Sequence, residues 1–135
     1  MKAFDTNVLA RFFIKDEDDS QAEKQRPAAV AAMSQRGFVS VTVLLEFEWV
    51  MRGFYGLSRQ EISRVLLGLA SIDHVSIEDR SVVLIALDAF RKGFDFADAL
   101  HMARAARTAA FVTFDQRLAR RASSLALTPP VELLT

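Results

Sequence analysis

Residues 38–53 read F-V-S-V-T-V-L-L-E-F-E-W-V-M-R-G and change from a strand-like to a helix-like pattern within one short stretch. Residues 38–41 are mostly aromatic or β-branched, which is typical of a strand. Thr42 can cap a helix over residues 43–52, which Gly53 would end. A strand followed directly by a helix is the repeating unit of an α/β protein, so this stretch predicts the fold class.

The same alternation continues on both sides of this stretch. Strands are predicted at residues 3–4, 74–77, 109–114 and 131–134, and helices at 8–13, 58–69, 80–92, 96–107 and 116–123. The strand at 109–114 is apolar throughout and is expected to be buried. Pro27 lies in a charged helical segment, where it should either kink the helix or mark its start. The pattern predicts an α/β fold, a three-layer α/β/α sandwich with a central, mainly parallel sheet.

The composition limits the function classes. The chain has 135 residues, 51% of them hydrophobic, which predicts a single domain over residues 1–135. Its 17 basic and 17 acidic residues cancel, so a nucleic-acid partner would need a local basic patch. The absence of cysteine excludes disulfides and thiolate sites, and two histidines argue against a zinc site. No apolar run suits a membrane span and no signal peptide is evident, so we expect a cytoplasmic protein.

Acidic side chains recur where predicted strands end or predicted helices begin. The four are Asp5, Glu46, Asp98 and Asp115. Each lies in an apolar stretch, where an uncompensated charge is costly. The carboxyl ends of parallel strands, and the helices that follow them, meet at one side of the sheet, so the four acids can converge. Clustered carboxylates suit hard cations, and the sequence therefore predicts Mg²⁺- or Mn²⁺-dependent chemistry there.

Each acid also has a purely structural interpretation. Asp5 could be a helix N-cap, and Asp95 fits an N-cap better than a ligand. Asp115 could be a turn residue between a strand and a helix. Glu46 and Glu48 are two positions apart, so only one can point to a given helix face; Glu46 is nearer the helix start, and Glu48 is predicted to lie on the surface. Four independent caps on the same side of one sheet would be an unexpected coincidence, which favours a shared site.

The chain resembles the PIN-domain family and, within it, the VapC-like toxin ribonucleases of bacterial toxin–antitoxin pairs. The resemblance rests on four blocks in order: D-T-N-V-L-A-R at 5–11, T-V-L-L-E-F-E-W-V at 42–50, D-F-A-D-A-L-H-M-A at 95–103 and V-T-F-D-Q-R-L at 112–118. It implies a small α/β/α sandwich with a parallel sheet. The family's acidic site would correspond to Asp5, Glu46, Asp98 and Asp115, acting as both metal ligands and catalytic residues. Neighbouring polar residues would support them, namely Asn7, Asp95 and Thr113.

The same resemblance implies an activity, a cofactor and partners. Family members are typically Mg²⁺- or Mn²⁺-dependent endoribonucleases that are inhibited by a cognate antitoxin protein, and a homodimer is expected. RNA contacts are predicted at four arginines, Arg11, Arg52, Arg104 and Arg117. His101 shares a helix face with Asp98, but a packed or surface role is favoured. The Phe54–Tyr55 segment is hypothesised to contribute to antitoxin binding, and a core role for these aromatics remains equally open.

Three other classes were weighed against this interpretation. A response-regulator receiver domain needs a second acid beside the first and a lysine after the last strand, and residues 5–7 and 114–116 supply neither. A haloacid-dehalogenase-like phosphatase needs D-x-D after the first strand, where this chain has Asn7 in the third position. A non-catalytic PIN-fold interaction module remains the alternative, although acids at all four positions argue against a decayed site.

Overall fold

The computed structural model describes residues 1–135, which form two compact units, Met1–Arg80 (unit 1) and Ser81–Thr135 (unit 2). Strands and helices alternate along the chain, and every strand pairing is parallel. The predicted α/β class with a parallel sheet is therefore confirmed. The assignment of residues 1–135 to one domain stays a prediction. No helix is both long enough and apolar enough to span a bilayer.

Unit 1 is built around a three-stranded parallel sheet in the order β1-β2-β3. Its elements in chain order are β1 (Lys2–Ala3), α1 (Thr6–Phe13), α2 (Ser20–Met33), β2 (Gly37–Val39), α3 (Val41–Gly53), α4 (Arg59–Ala70) and β3 (Val75–Ile77). The register aligns Lys2 with Gly37 and Gly37 with Val75, so the three strands begin at the same level. Buried apolar side chains from every helix of the unit and from β2 form its core, among them Leu9, Met33, Val39, Phe47 and Leu69.

Unit 2 contains a separate pair of parallel strands. Its elements are α5 (Arg80–Arg91), which begins at the boundary, α6 (Phe96–Arg104), β4 (Phe111–Thr113), α7 (Gln116–Ser124) and β5 (Val131–Leu133). Phe111 pairs with Val131 and Thr113 with Leu133. The rings of Phe90 and Phe96 meet edge to face with centroids 5.7 Å apart and join α5 to α6.

Local cap chemistry sets most helix boundaries. The predicted capping box of α4 is present: Ser58 Oγ accepts from the Glu61 backbone N–H, and Glu61 Oε1 accepts from the Ser58 N–H. For α3 the cap is Ser40 rather than Thr42, because β2 already ends at Val39 and the Ser40 hydroxyl accepts from the Val43 N–H.

Helix α2 begins after its N-cap Asp19 and continues through Pro27 to Met33, so of the two expectations for Pro27 the start of the helix is excluded and a kink stays a prediction. One other expectation is wrong. The strand predicted at 109–114 is shorter than expected and is not buried, since Val112 is 52% and Phe114 is 73% exposed. Apolar residue type does not by itself enforce burial, and the pair β4–β5 leaves these side chains open to solvent.

Candidate active site

Asp5 follows strand β1 and is the N-cap of helix α1. Its backbone is extended (φ −85°, ψ 163°), and Oδ1 accepts a hydrogen bond from the Thr6 backbone N–H at 2.8 Å. The predicted capping role is therefore present. The cap uses one carboxylate oxygen of an exposed side chain, which leaves Oδ2 for a metal ion or a substrate group. The structural and functional interpretations of Asp5 are compatible in a single conformation.

Thr6 connects Asp5 to Glu46. The Thr6 side chain is buried, its backbone N–H donates to Asp5, and its hydroxyl donates to Glu46 Oε1. Glu46 lies 40 positions later, on the exposed side of helix α3. One residue thus fixes two of the predicted acids in the same neighbourhood of unit 1. Nothing in the sequence indicates this role of Thr6 except its place directly after Asp5.

Glu48 does not lie on the surface, contrary to the prediction. Its side chain is 2% exposed, and Oε2 accepts from Arg52 Nε at 2.9 Å, one helical turn later. Positions two apart on a helix point in nearly opposite directions, so an exposed Glu46 directs Glu48 inward. Arg52 compensates this buried charge. Arg52 was predicted to contact RNA, and the structure places its guanidinium against Glu48.

Unit 2 brings three further acids near one another. Asp95 is the N-cap of α6, where its Oδ2 accepts from the Asp98 backbone N–H at 3.0 Å, as predicted. Asp115 is the N-cap of α7 and accepts from the Leu118 N–H, while Thr113 Oγ1 accepts from the Asp115 N–H. The charges of the exposed Asp95 and Asp115 both act on the half-buried Asp98, so the three acids belong to one part of unit 2.

The surroundings of Asp98 raise the pKa of its carboxyl. Partial burial, the largest cause, raises the pKa of the Asp98 carboxyl, and the charges of Asp95 and Asp115 also raise it, whereas His101 lowers it. Like charges around a partly desolvated carboxylate oppose its ionisation. A divalent cation beside Asp98 would instead favour the ionised form of its carboxyl.

The oxygen atoms of the predicted acids are ligands of the chemical type that a hard cation prefers. Asp5 with Glu46 in unit 1, and Asp98 with its acidic neighbours in unit 2, provide oxygen ligands of the type that Mg²⁺ and Mn²⁺ prefer. Within neither unit do three or more acidic or histidine side chains lie close enough together to hold a metal ion.

The four predicted acids are less buried than the apolar sequence around them suggested. Asp5, Glu46 and Asp115 are exposed and Asp98 is half-buried, so the apolar sequence around them does not desolvate them strongly. Next to Asp5 and Glu46 the buried Phe4, Thr6 and Phe47 point into the core while the carboxylates point outward, whereas Asp115 follows the exposed Phe114. What supports a metal site is the link of Asp5 and Glu46 through Thr6 and the effect of Asp95 and Asp115 on Asp98, and not the burial of these acids.

The predicted basic contacts differ in their surroundings. Arg11 Nε donates to Gln25 Oε1 at 2.9 Å and Arg11 Nη1 to the Tyr55 hydroxyl at 3.1 Å, which holds the side chain between α1, α2 and the end of α3. Arg104 and Arg117 are exposed. His101 is also exposed, which agrees with the predicted surface role. Asn7 is exposed in the first turn of α1.

Comparison with known families gives one decisive match. A family model described as the PIN domain matches residues 2–123. The chain belongs to the PIN domain family. The match includes all four acids of the candidate site, and most members of this family are metal-dependent ribonucleases. Neither curated proteins nor solved structures give a significant match to the chain.

Proposed function

We propose that this PIN domain is a divalent-metal-dependent endoribonuclease that hydrolyses phosphodiester bonds of RNA. The observation that supports it most directly is the hydrogen-bonded unit Asp5–Thr6–Glu46, in which a buried hydroxyl holds one carboxylate beside another. The bond gives the buried Thr6 hydroxyl an acceptor, and it also fixes an exposed carboxylate whose charge water alone would solvate. The result is the kind of fixed acidic pair that a metal-dependent nuclease requires.

The proposed ligands of Mg²⁺ or Mn²⁺ are Asp5, Glu46, Asp98 and Asp115. When bound, the cation would orient a substrate phosphate, lower the pKa of a water ligand and stabilise charge on the leaving oxygen. The chain's own contribution is positioning: the N-cap bonds of Asp5 and Asp115 fix one oxygen of each carboxylate, and Thr6 fixes one oxygen of Glu46. Hydrolysis would leave a 3′-hydroxyl and a 5′-phosphate.

We further propose that the nuclease is the toxin of a toxin–antitoxin pair and that it forms a homodimer. Support comes from the resemblance and from two exposed aromatic side chains near the end of α3, Trp49 at 61% and Phe54 at 72% exposure. Exposed aromatics of this size are common in protein interfaces. Phe54 is too exposed for a core role, whereas Tyr55 is half-buried and accepts a hydrogen bond from Arg11.

The decisive experiment is cleavage of a total-RNA pool by the purified chain, free of any antitoxin, with Mg²⁺, with Mn²⁺ and with EDTA. Asp5→Asn and Asp98→Asn test the acids of the two units separately. Asp88→Asn is the matched control, because Asp88 is an exposed aspartate on α5 that pairs with Lys92. We expect discrete metal-dependent fragments that both site variants lose, at least about 100-fold in rate, and that the control retains.

The same experiment separates the nuclease from a non-catalytic interaction module, which the exposed Trp49 and Phe54 would also suit. A folded protein that yields no fragments with either metal would contradict the nuclease and favour the module. Fragments that persist in EDTA, or in both site variants, would contradict the assignment of the acids.

A further inference from the structure

Unit 1 contains a pocket of about 770 Å³ at the amino ends of its three strands, where the candidate active-site acids do not lie. The sheet register creates it. Lys2 in β1 pairs with Gly37, which pairs in turn with Val75, so Lys2, Arg36 and His74 all lie at the amino ends of the strands, and all three line the pocket. Asp5 and Glu46, by contrast, follow the carboxyl ends of the strands. We call the space lined by Lys2, Phe4, Arg36, His74 and the end of α2 the amino-end pocket.

The basic groups of this pocket are uncompensated. No aspartate or glutamate lines it, and neither Lys2 nor Arg36 has a carboxylate within ion-pair distance. His74 is held in place, because its Nε2 lies 2.7 Å from the Met33 carbonyl oxygen. A carbonyl oxygen only accepts, so Nε2 is the donor and Nδ1 is left for another partner. A pocket whose charged groups all have one sign selects for an anion.

The end of helix α2 does not need these basic groups. Its last carbonyl groups already accept hydrogen bonds within the chain: those of Val30 and Ala31 from the Ser34 N–H, that of Ala32 from the Gln35 N–H and that of Met33 from His74. Helix carbonyl groups without partners would have been the obvious structural reason for nearby cations. With those carbonyls satisfied, Lys2 and Arg36 remain available to an external ligand.

One wall of the pocket is apolar and closely fitted. The Phe4 ring lies against Gly37, at the place that a Cβ on residue 37 would occupy. Glycine at position 37 therefore allows the ring to occupy this place beside the methyl groups of Ala31 and Ala32. Together with the basic side chains, this wall suits a ligand that has both a flat apolar part and an anionic group. The volume lies within the range of small-molecule sites.

We propose that the amino-end pocket binds a nucleoside monophosphate, with the phosphate at Lys2, Arg36 and His74 and the base against the wall formed by Phe4 and the alanines. Arg36 offers a fork of donors that matches phosphate oxygens, and Lys2 adds a second charge. This site is separate from the proposed nuclease centre and does not require a metal ion. Its occupation would not depend on whether the chain cleaves RNA.

Isothermal titration calorimetry of the full chain with adenosine monophosphate tests the proposal. The buffer contains EDTA, so that binding through a metal at the acids does not contribute. Adenosine is the comparison ligand. We expect saturable one-to-one binding of the monophosphate at moderate ionic strength, and binding of adenosine at least about tenfold weaker because the charge-assisted hydrogen bonds are lost.

Variants locate the site. Arg36→Gln and Lys2→Gln should each weaken adenosine monophosphate about tenfold. Lys15→Gln is the matched control, since Lys15 is an exposed lysine of unit 1 that does not line the pocket and its loss changes the net charge equally. Equal affinity for adenosine, no detectable binding of the monophosphate, or equal weakening by Lys15→Gln would each overturn the proposal. All three side chains extend from the surface, so circular dichroism should confirm that the variants fold.

Discussion

Thr6 holds two carboxylates that the chain separates by 40 positions, so its hydroxyl is a sensitive place to test the candidate site. Thr6→Val keeps the side-chain shape and the backbone N–H that caps with Asp5, and removes only the donor to Glu46. A hydrogen bond to a charged group contributes about 1.5–3 kcal/mol, which corresponds to roughly a 10- to 100-fold loss in RNA cleavage rate if the positioning of Glu46 matters.

Thr6→Ser provides the control, because it restores the hydroxyl without the methyl group. We expect it to regain most of the cleavage rate, while the free energy of unfolding of Thr6→Val changes by about 1 kcal/mol or less, since Glu46 is exposed to water. Single-turnover cleavage and urea denaturation measure the two effects. Wild-type rates in Thr6→Val would show that Glu46 needs no positioning by Thr6.

The residues of the site differ in how well the sequence predicts them. The caps at Asp5 and Asp95 were predictable, because the partner of an N-cap is the next turn of its own helix. The partner of Thr6 is remote in sequence, and no local pattern indicates it. Glu48 was placed on the wrong side of α3 because two acids two positions apart look alike until the core-facing side of the helix is known.

Among the elements, α4 depends most visibly on local chemistry. Its capping box joins Ser58 and Glu61 through two reciprocal hydrogen bonds. Ser58→Ala removes one of them, and we expect the free energy of unfolding to fall by about 1 kcal/mol at neutral pH, as measured by urea denaturation. Ser76→Ala is the control, because Ser76 is an exposed serine in β3 and should change stability little. Equal losses in the two variants would contradict the capping role.

The same box predicts a pH dependence. The pKa of Glu61 is lowered below its usual value of 4.5, chiefly by the hydrogen bond from the Ser58 backbone, then by the Ser58 hydroxyl. A carboxyl whose pKa is lower in the folded state stabilises the fold above its unfolded pKa. That contribution disappears as the pH falls through the folded pKa. The stability difference between the wild type and Glu61→Gln should therefore be constant from pH 7 to about pH 5 and shrink below pH 4.5. A stability difference between the wild type and Glu61→Gln that stays constant down to pH 3.5 would contradict the lowered pKa of Glu61.

The start of a helix could be predicted where its cap is formed by nearby residues. It could not be predicted where strand pairing or burial sets the boundary. The box at Ser58 fixed the start of α4 from the sequence alone. The start of α3 shifted to Val41 because pairing of β2 with β3 ends at Val39, which leaves Ser40 to cap. The exposure of Val112 and Phe114 depends on what covers β4, and an unbroken apolar run contains no information about that.

At the scale of the molecule, a net charge of zero conceals a segregation of charge. In unit 1 the acids Asp5 and Glu46 follow the carboxyl ends of the parallel strands, and Lys2, Arg36 and His74 lie at the amino ends. The composition suggested that an anionic partner would need a local basic patch, and the register of the sheet places one such patch. Sequence order alone did not show it, because the three basic residues are separated by two helical segments each.

The exposed aromatics Trp49 and Phe54 lead to a prediction about assembly. If the proposed homodimer uses this surface, the wild type should sediment at about twice the chain mass of 15.1 kDa, and Phe54→Ser or Trp49→Ser should shift it toward the monomer. Exposed positions tolerate such changes within about 0.5 kcal/mol of stability, so the variants should stay folded.

Ile85→Ser is the matched control, since Ile85 is 60% exposed and lies on α5, away from α3 in sequence. Analytical ultracentrifugation over a range of concentrations separates the outcomes. A weaker dimer in the α3 variants alone would assign the interface, because removing an aromatic side chain from the centre of an interface typically costs about 2 kcal/mol or more in association, roughly 30-fold in Kd. A wild type that remains monomeric would contradict the homodimer. An unchanged dimer in both aromatic variants would exclude Trp49 and Phe54 from the dimer interface, and the two residues would then be tested for binding of the antitoxin.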